Sequence, residues 1–263
     1  MSITKYLEEN LNTNLLTDFS LIQKQFDKTA KFMLRNCLIE VDDLKYRITE
    51  IEFYYYREDG HKDPFVHKHI NQKEMGVWYF HNVGQDITFG DKTNYGGILI
   101  RGILPKGSDP CKGIDGPVRS YDRLFNPMLE LDKKHFFGIT ISKEPLISQS
   151  AKVYKFPRAG MYPKGKKNPG EYIFLPYRYM LYPECSKVER HVLYLYLNYF
   201  EVDKKRTSRL LVDNSMKESY DNAFNTGLKM NKDEMNRIFS GELNMNVENK
   251  CKLLGYYKEH GKL

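Results

Sequence analysis

The sequence has few cysteines and no long apolar run, and these absences exclude several classes of protein. Its four cysteines, Cys37, Cys111, Cys185 and Cys251, are far apart in 263 residues and form no C-x-x-C pair. This spacing favours free thiols in a reducing compartment and argues against structural zinc. No stretch approaches the roughly 20 apolar residues that a membrane helix needs. Because the polar opening "MSITKYLEENLNTN" lacks the apolar core of an export signal, we expect a cytoplasmic protein.

Positive charge is in excess. The chain carries 41 Lys and Arg against 34 Asp and Glu, which gives a formal net charge of +7. This balance favours anionic partners such as nucleic acid, phosphorylated ligands or an anionic membrane. Hydrophobic residues make up 41% of the chain, enough to form a packed core.

The apolar patterns predict a mixed fold. "FSLIQKQFDKTAKFMLRN" has helical spacing, whereas "CLIEV" and "YRITEIEFYYY" alternate like strands around a "DDLK" turn. Further strands are predicted in "MGVWYFHNVG", "GGILIRGIL", "FFGITISK" and "YIFLPYRYMLY". Because these elements alternate without regular βαβ spacing, we expect an α+β fold.

The end of the chain has a helical pattern. Asn231 and Glu234 are spaced as a capping box, and Gly241 is a plausible helix end. A second helix is predicted from Met245 to Gly255. The sequence therefore predicts a main domain over 1–183 and an extension of short helices over 184–263.

Two glutamates in the predicted strand "YRITEIEFYYY" raise a functional question. Glu50 and Glu52 share one face of the strand, and both could be solvated, which is the commoner state of strand carboxylates. Arg101 lies inside the apolar run "GGILIRGIL", where a buried guanidinium needs an anionic partner. A strand glutamate could be that partner, or Arg101 could lie at a strand end in water.

Two other segments are candidates for binding. His67 and His69 could suggest a metal site, but no acidic or cysteine set of recognised spacing accompanies them, so a histidine in a pocket wall is the better interpretation. The run "RAGMYPKGKKNPGEYIFLPYR" interleaves basic and aromatic residues, which suits phosphate contacts and base stacking. The same run could also be a solvated lysine loop.

Several segments together resemble the alkyladenine (3-methyladenine) DNA glycosylase family. They are "AKFMLRNCLIEV", "YRITEIEFYYYREDGHKDPFVH", "GVWYFHNVG", "GGILIRGILP", "GIDGPVRSYDRL", "PRAGMYPKG" and "LPYRYML". They fall in the family's order between Thr17 and Tyr182. The resemblance implies one mixed domain whose curved, largely antiparallel sheet is flanked by helices.

The resemblance also implies a function. A damaged or modified purine nucleotide would be flipped out of double-stranded DNA, and its N-glycosidic bond would be hydrolysed. Glu52 matches the glutamate that activates the attacking water, and Arg101 matches the arginine that holds it. Tyr54, His67, Tyr79 and His81 match positions of the base-binding pocket. Glu50 is left with a structural role.

The remaining expectations concern partners. Candidate DNA contacts are Asn82, Val83, Arg158, Lys164, Lys166, Lys167 and Arg178. We expect a monomer that binds double-stranded DNA rather than membrane and needs no metal or organic cofactor. Since "YRITEIEFYYY" contains no lysine to form a Schiff base, monofunctional hydrolysis is expected.

The sequence departs from the family around the pocket. Extra residues lie between Tyr54 and His67, and His81 replaces the second tyrosine of a Y-V-Y motif. No residue clearly matches the intercalating tyrosine, for which Asn82 and Val83 are nearest, and the pocket asparagine is replaced between Thr88 and Gly90. Two alternatives therefore stay open: a non-catalytic nucleic-acid-binding protein with this fold, or an N-glycosidase for an unusual modified base.

Overall fold

A computed structural model describes residues 1–128, 130–163, 165, 170, 172–210 and 212–261. The chain divides into two compact units. Unit 1 comprises Met1–Lys155 and Tyr177–Tyr182, and unit 2 comprises Phe156–Pro176 and Pro183–Leu263.

Helices and strands follow one another irregularly, as expected for an α+β fold. The helices are α1 Ile3–Asn10, α2 Phe19–Asn36, α3 Pro117–Phe125, α4 Arg190–Leu195, α5 Lys204–Arg209, α6 Asn214–Leu228, α7 Lys232–Phe239 and α8 Val247–His260. The strands are β1 Cys37–Val41, β2 Leu44–Tyr56, β3 Met75–His81, β4 Gly84–Phe89, β5 Tyr95–Pro105, β6 Ile114–Asp115, β7 Phe137–Ile141, β8 Tyr154–Phe156 and β9 Arg178–Met180. Short 3-10 turns include Ile70–Lys73.

The strands form one sheet in the order β3-β4-β5-β2-β1-β7, with β6 paired to β5 and β9 paired to β2. The pairs with described registers are all antiparallel. The sheet curls enough for its two outer strands to meet, because the ring of Trp78 on β3 lies 4.7 Å from the ring of Phe137 on β7. The predicted curved, largely antiparallel sheet is confirmed.

One face of the sheet packs against α2. The helix begins after Asp18, whose side chain caps the N–H of Leu21, and it buries Phe26 and Met33 on one side. The ring of Phe26 stacks on Phe53 of β2 at 4.3 Å. Burying a side chain of this size contributes about 1.5–3 kcal/mol. Because Phe53 faces α2, the alternating residues Glu50, Glu52 and Tyr54 face the other way.

Unit 2 is mainly helical after Pro183. The capping box of Asn231 and Glu234 at the start of α7 is confirmed. Helix α8, however, continues to His260, so the prediction that it ends at Gly255 is wrong. A side chain at Gly255 would collide with the carbonyl oxygen of Phe224 on α6. This glycine therefore permits two helices to pack closely and does not end one.

Two of the four cysteines differ from the sequence expectation. Cys37 and Cys251 are buried free thiols, as expected, but Cys111 and Cys185 are disulfide-bonded, so the expectation of free thiols is wrong for these two. Within the described ranges, no helix has the length and apolar character required to cross a bilayer.

Candidate active site

A row of paired residues crosses four strands and ends at β9. Tyr79 pairs with Asp86, Asp86 with Leu99, Leu99 with Glu52, and Glu52 with Arg178. Residues directly opposite in antiparallel strands have side chains on the same face of the sheet. The row therefore places a tyrosine, two carboxylates and an arginine on the face that points away from α2.

A bulge brings a second arginine to this face. The register between β2 and β5 shifts on either side of the Glu50–Gly102 pair, which leaves Thr49 on β2 and Arg101 on β5 without a directly opposite partner. Such irregularities redirect a side chain locally and are common beside active sites.

Two glutamates and two arginines form a buried cluster on this face. Arg101 Nε lies 2.9 Å from Glu50 Oε1 and 3.3 Å from Glu52 Oε1, and Arg101 Nη1 lies 3.4 Å from Glu52 Oε2. Arg178 Nε donates to Glu50 Oε1 at 2.6 Å. Glu50 and Glu52 are 2% and 0% exposed, so neither is the solvated strand carboxylate that the commoner pattern predicts.

Electrostatics keep Glu50 and Arg101 ionised. Burial would raise the pKa of Glu50, but the attraction of Arg178 and Arg101 outweighs it and lowers that pKa below its usual value. Burial likewise disfavours the charged form of Arg101, yet Glu52 and Glu50 raise its pKa. Glu50 thus contacts both guanidinium groups, and one of them, that of Arg101, also contacts Glu52.

Tyr54 completes the surroundings of Glu52. Its hydroxyl donates to Glu52 Oε2 at 2.8 Å, and its side chain is half-buried. Oε2 of Glu52 therefore accepts from a phenol and faces a guanidinium, an arrangement that fixes the orientation of the carboxylate.

Three histidines and one tyrosine form a second group of side chains at strands β3 and β4. His81 Nε2 lies 3.1 Å from Asp86 Oδ1, and Gln72 Nε2 donates to Asp86 Oδ2 at 3.3 Å. The rings of His67 and His81 are 4.8 Å apart, and His69 stacks on Tyr79 at 4.6 Å. Burial and the charge of Asp86 raise the pKa of Tyr79. The segment containing His67 and His69 thus packs on the side chains of β3.

Gly97 lies between Tyr54 of the carboxylate cluster and the group around Asp86. It lies opposite Tyr54 on β2 and Thr88 on β4. A Cβ atom at this position would lie 2.6 Å from Asp86 Oδ2 and 3.0 Å from Gln72 Nε2. The close approach of Asp86 to β5 therefore requires glycine here.

We expect Gly97→Ala to displace Asp86 and to lower the free energy of unfolding by about 1–3 kcal/mol, because overpacking a filled site costs that much. Urea denaturation measures this change in the free energy of unfolding. Gly138→Ala on β7 is the matched control, since its Cβ would meet the ring of Phe136, which is 53% exposed and free to rotate away. Equal losses in the two variants would contradict the assigned contact.

The structure brings together most of the predicted site residues. Glu52, Arg101, Tyr54, Tyr79 and His81 lie on the sheet face described above, and His67 packs against it from a loop. Glu50 binds both arginines, and its structural role stays a prediction.

Two predicted DNA contacts require correction. Arg178 is 0% exposed and pairs with Glu50, and Arg158 is 0% exposed and donates to the carbonyl of Tyr172 within unit 2. Neither guanidinium is placed at the surface, where a phosphate contact must lie. Asn82 and Val83 form the exposed two-residue turn between β3 and β4. Lys164, Lys166 and Lys167 lie outside the described residues.

Sequence reasoning missed two residues of the site, Asp86 and Gln72, and assigned a third, Arg178, to DNA contact. Arg178, Asp86 and Gln72 are each at most 3% exposed and are held by the contacts given above. The signal for Arg178 was its place in the apolar stretch "FLPYRYML", which has the same character as the run around Arg101. In the part of the chain that the structure describes, no three His, Cys, Asp or Glu residues are grouped to hold a metal ion.

Comparison with known proteins identifies one similar viral protein. An uncharacterized protein of Acanthamoeba polyphaga mimivirus is 28% identical in an alignment of 215 positions that covers 67% of this chain and 95% of the viral protein. No protein-family model matches the chain. The similarity extends over most of both chains and carries no statement of activity.

Proposed function

We propose that this protein is a monofunctional DNA glycosylase, which flips a damaged or modified purine out of the duplex and hydrolyses its N-glycosidic bond. The observation that carries the proposal is the fixed orientation of Glu52, a buried carboxylate held by Arg101 and Tyr54. The sequence resemblance to the alkyladenine DNA glycosylase family adds support, since Glu52 and Arg101 are the residues it matches to the catalytic positions.

In the proposed reaction, Glu52 acts as the general base. A water molecule loses a proton to the carboxylate, its oxygen bonds to C1′ of the deoxyribose, and the base leaves with the electron pair of the broken C–N bond. The same negative charge favours the oxocarbenium-like sugar of the transition state. Arg101 is a positioning residue that fixes the orientation of the carboxylate. Because Glu52 has no exposed surface, the side chains over it must move when a nucleotide enters.

Hydrolysis by water is favoured over Schiff-base chemistry. Strand β2 does contain one lysine, Lys45, which the predicted strand "YRITEIEFYYY" left out. Its amino group pairs at 3.2 Å with Glu40 of β1, near the start of β2 and seven residues before Glu52. No lysine of β2 therefore lies beside the carboxylate cluster.

The surroundings of Glu52 fit a flipped base. Tyr54 contacts the carboxylate, and Tyr79 with His67 packed on it supplies further aromatic rings on the same face of the sheet. Stacking on such rings contributes about 1–3 kcal/mol per base. The exposed turn of Asn82 and Val83 is the candidate for the wedge that fills the space left in the duplex. The net charge of +7 favours the DNA backbone, so binding should weaken as salt increases.

We expect Tyr54→Ala to weaken binding to a duplex with a damaged base by about 5- to 100-fold, the range that loss of one stacking ring implies. Binding to undamaged duplex should change little, because that complex rests mainly on phosphate contacts. Fluorescence anisotropy with both duplexes measures this difference. Tyr54→Phe is the control, since it keeps the ring and removes only the hydroxyl bound to Glu52. Equal losses for the two duplexes would contradict stacking by Tyr54.

An unusual modified base is the second candidate substrate. The pair of His81 and Asp86 supports it, because His81 stands where the resembling family has a tyrosine and it is held in place by a carboxylate. A fixed imidazole can donate or accept a hydrogen bond at a ring substituent that a tyrosine pocket would not recognise. A non-catalytic DNA-binding protein with this fold is the alternative without chemistry, and it would have no use for the buried cluster around Glu52.

A further inference from the structure

Unit 2 contains a cavity of about 360 Å³, which no step of the proposed reaction uses. Its volume falls in the range of about 300–1,000 Å³ that is typical of small-molecule sites. The residues that matter for its chemistry are Lys187, Glu189, Arg190, His191, Tyr220 and Lys250. They come from the segment around the start of α4 and from α6 and α8.

The cavity wall is positively charged. Among the described residues that line it, Lys187, Arg190 and Lys250 contribute three cations and Glu189 contributes one carboxylate. Lys250 is 6% exposed, and its amino group lies 2.5 Å from Glu189 Oε1. The main-chain N–H of Gly160 donates to the same oxygen at 3.1 Å. The carboxylate is thus held by the protein itself, and the described lining carries more positive than negative charge.

His191 indicates that the cavity accommodates a polar ligand. Its side chain is 9% exposed, and its Nε2 atom is buried without a hydrogen-bond partner among the described residues. Burial lowers its pKa to about 4, a net shift that the charge of Glu189 opposes and that of Lys250 supports. The ring is therefore neutral at pH 7. A buried imidazole nitrogen without a partner costs free energy, and a ligand that bonds to it removes that cost.

The geometry points to a nucleoside 5′-monophosphate as the ligand of this cavity. Lysine and arginine side chains are the usual partners of phosphate, and the guanidinium fork matches its oxygens. The ring of Tyr220, 5.9 Å from the ring of His191, gives the base an aromatic surface. The same chemistry is offered by a free mononucleotide and by the 5′-phosphorylated end of a DNA strand.

Binding of deoxyadenosine monophosphate to the full chain, measured by isothermal titration calorimetry, tests this assignment. We expect the nucleotide to bind more tightly than deoxyadenosine or inorganic phosphate does. A 5′-phosphorylated oligonucleotide that competes better than its 5′-hydroxyl counterpart would identify the DNA end as the source. Competition by the free nucleotide without any effect of the 5′-phosphate on the oligonucleotide would identify the mononucleotide.

Variants locate the site. Lys250→Met and the surface variant Lys187→Met should each raise the dissociation constant at least about 10-fold, the size expected for a lost charge-assisted hydrogen bond. Lys252→Met is the matched control, because it removes the same charge from α8 at a residue that does not line the cavity. Circular dichroism checks folding, and Lys187, which is exposed, gives a variant expected to fold.

Several results would overturn the assignment. They are an absence of nucleotide binding, binding of phosphate as tight as that of the nucleotide, or equal affinity in Lys187→Met and Lys252→Met. The measured quantity is binding in unit 2, so failure here is distinguishable from failure of base excision at Glu52.

Discussion

We expect Glu52→Gln to lower the single-turnover rate of the proposed base excision by about 10²–10⁴-fold, the usual contribution of a general base. Glutamine keeps the shape of the side chain and can still accept from the hydroxyl of Tyr54, but it cannot take a proton from water. Arg101 retains Glu50 as a charged partner at 2.9 Å, so the variant should fold and bind DNA. Excision from a duplex containing hypoxanthine or an alkylated purine, with enzyme in excess, gives the rate.

Glu58→Gln is the matched control for this experiment. Glu58 is an exposed glutamate that follows β2 and pairs with Lys62. Its replacement removes the same charge without touching the cluster, so excision should proceed at the original rate. Retained turnover in Glu52→Gln would remove Glu52 from the catalytic role.

Glu50→Gln destabilises the fold, with an expected loss of about 3–5 kcal/mol, because breaking a buried ion pair leaves charge without a partner. Arg178 is 0% exposed, and Glu50 accepts the bond from its Nε. In the described residues, the two Nη atoms of Arg178 are buried without hydrogen-bond partners, so the guanidinium depends heavily on this carboxylate. Urea denaturation followed by circular dichroism gives the free energy.

Two further variants separate this explanation from simple loss of packing. Combining Glu50→Gln with Arg178→Met should recover part of the loss, since the unpaired charge is then absent. Glu40→Gln on β1 should cost no more than about 1 kcal/mol, because Glu40 pairs with the exposed Lys45. If the double variant were less stable than Glu50→Gln alone, burial of an unpaired Arg178 would not be the cause.

The ionisation of Glu50 also makes the stability of the fold depend on pH. The pKa of Glu50 is lower in the folded chain than its usual value of 4.5. Its contribution to stability is therefore present above about pH 4.5 and is lost as the pH falls through the folded value. In Glu50→Gln this part of the acid destabilisation should disappear.

Local patterns in the sequence were enough to predict most of the fold of unit 1. The period of α2, the turn after β1 and the alternation in β2 each follow from neighbouring residues, and the structure has them. The extent of α8 could not be predicted, because Gly255 is a local helix breaker whose role is set by its contact with α6. Long-range packing decides such positions.

The sequence was enough to predict those site residues that lie in strands with a clear apolar or alternating pattern. Arg101 in an apolar strand required a carboxylate, and both glutamates of β2 supply one. Arg178 could not be paired with Glu50 from the sequence, since β9 joins β2 only through the fold and 128 residues separate the two. Its basic, tyrosine-rich neighbourhood suggested DNA contact, whereas its burial makes it part of the cluster.

The most direct test of the proposed function is analysis of the products released from modified duplexes. Duplexes carrying hypoxanthine, 3-methyladenine, 7-methylguanine, ethenoadenine or bulkier modified bases would be incubated with the protein and with Glu52→Gln. We expect the protein to release a free base and to leave an abasic strand that breaks only after alkali, and we expect no free base from the variant. Tight binding without release of any base would contradict the proposed function and would favour a non-catalytic DNA-binding protein.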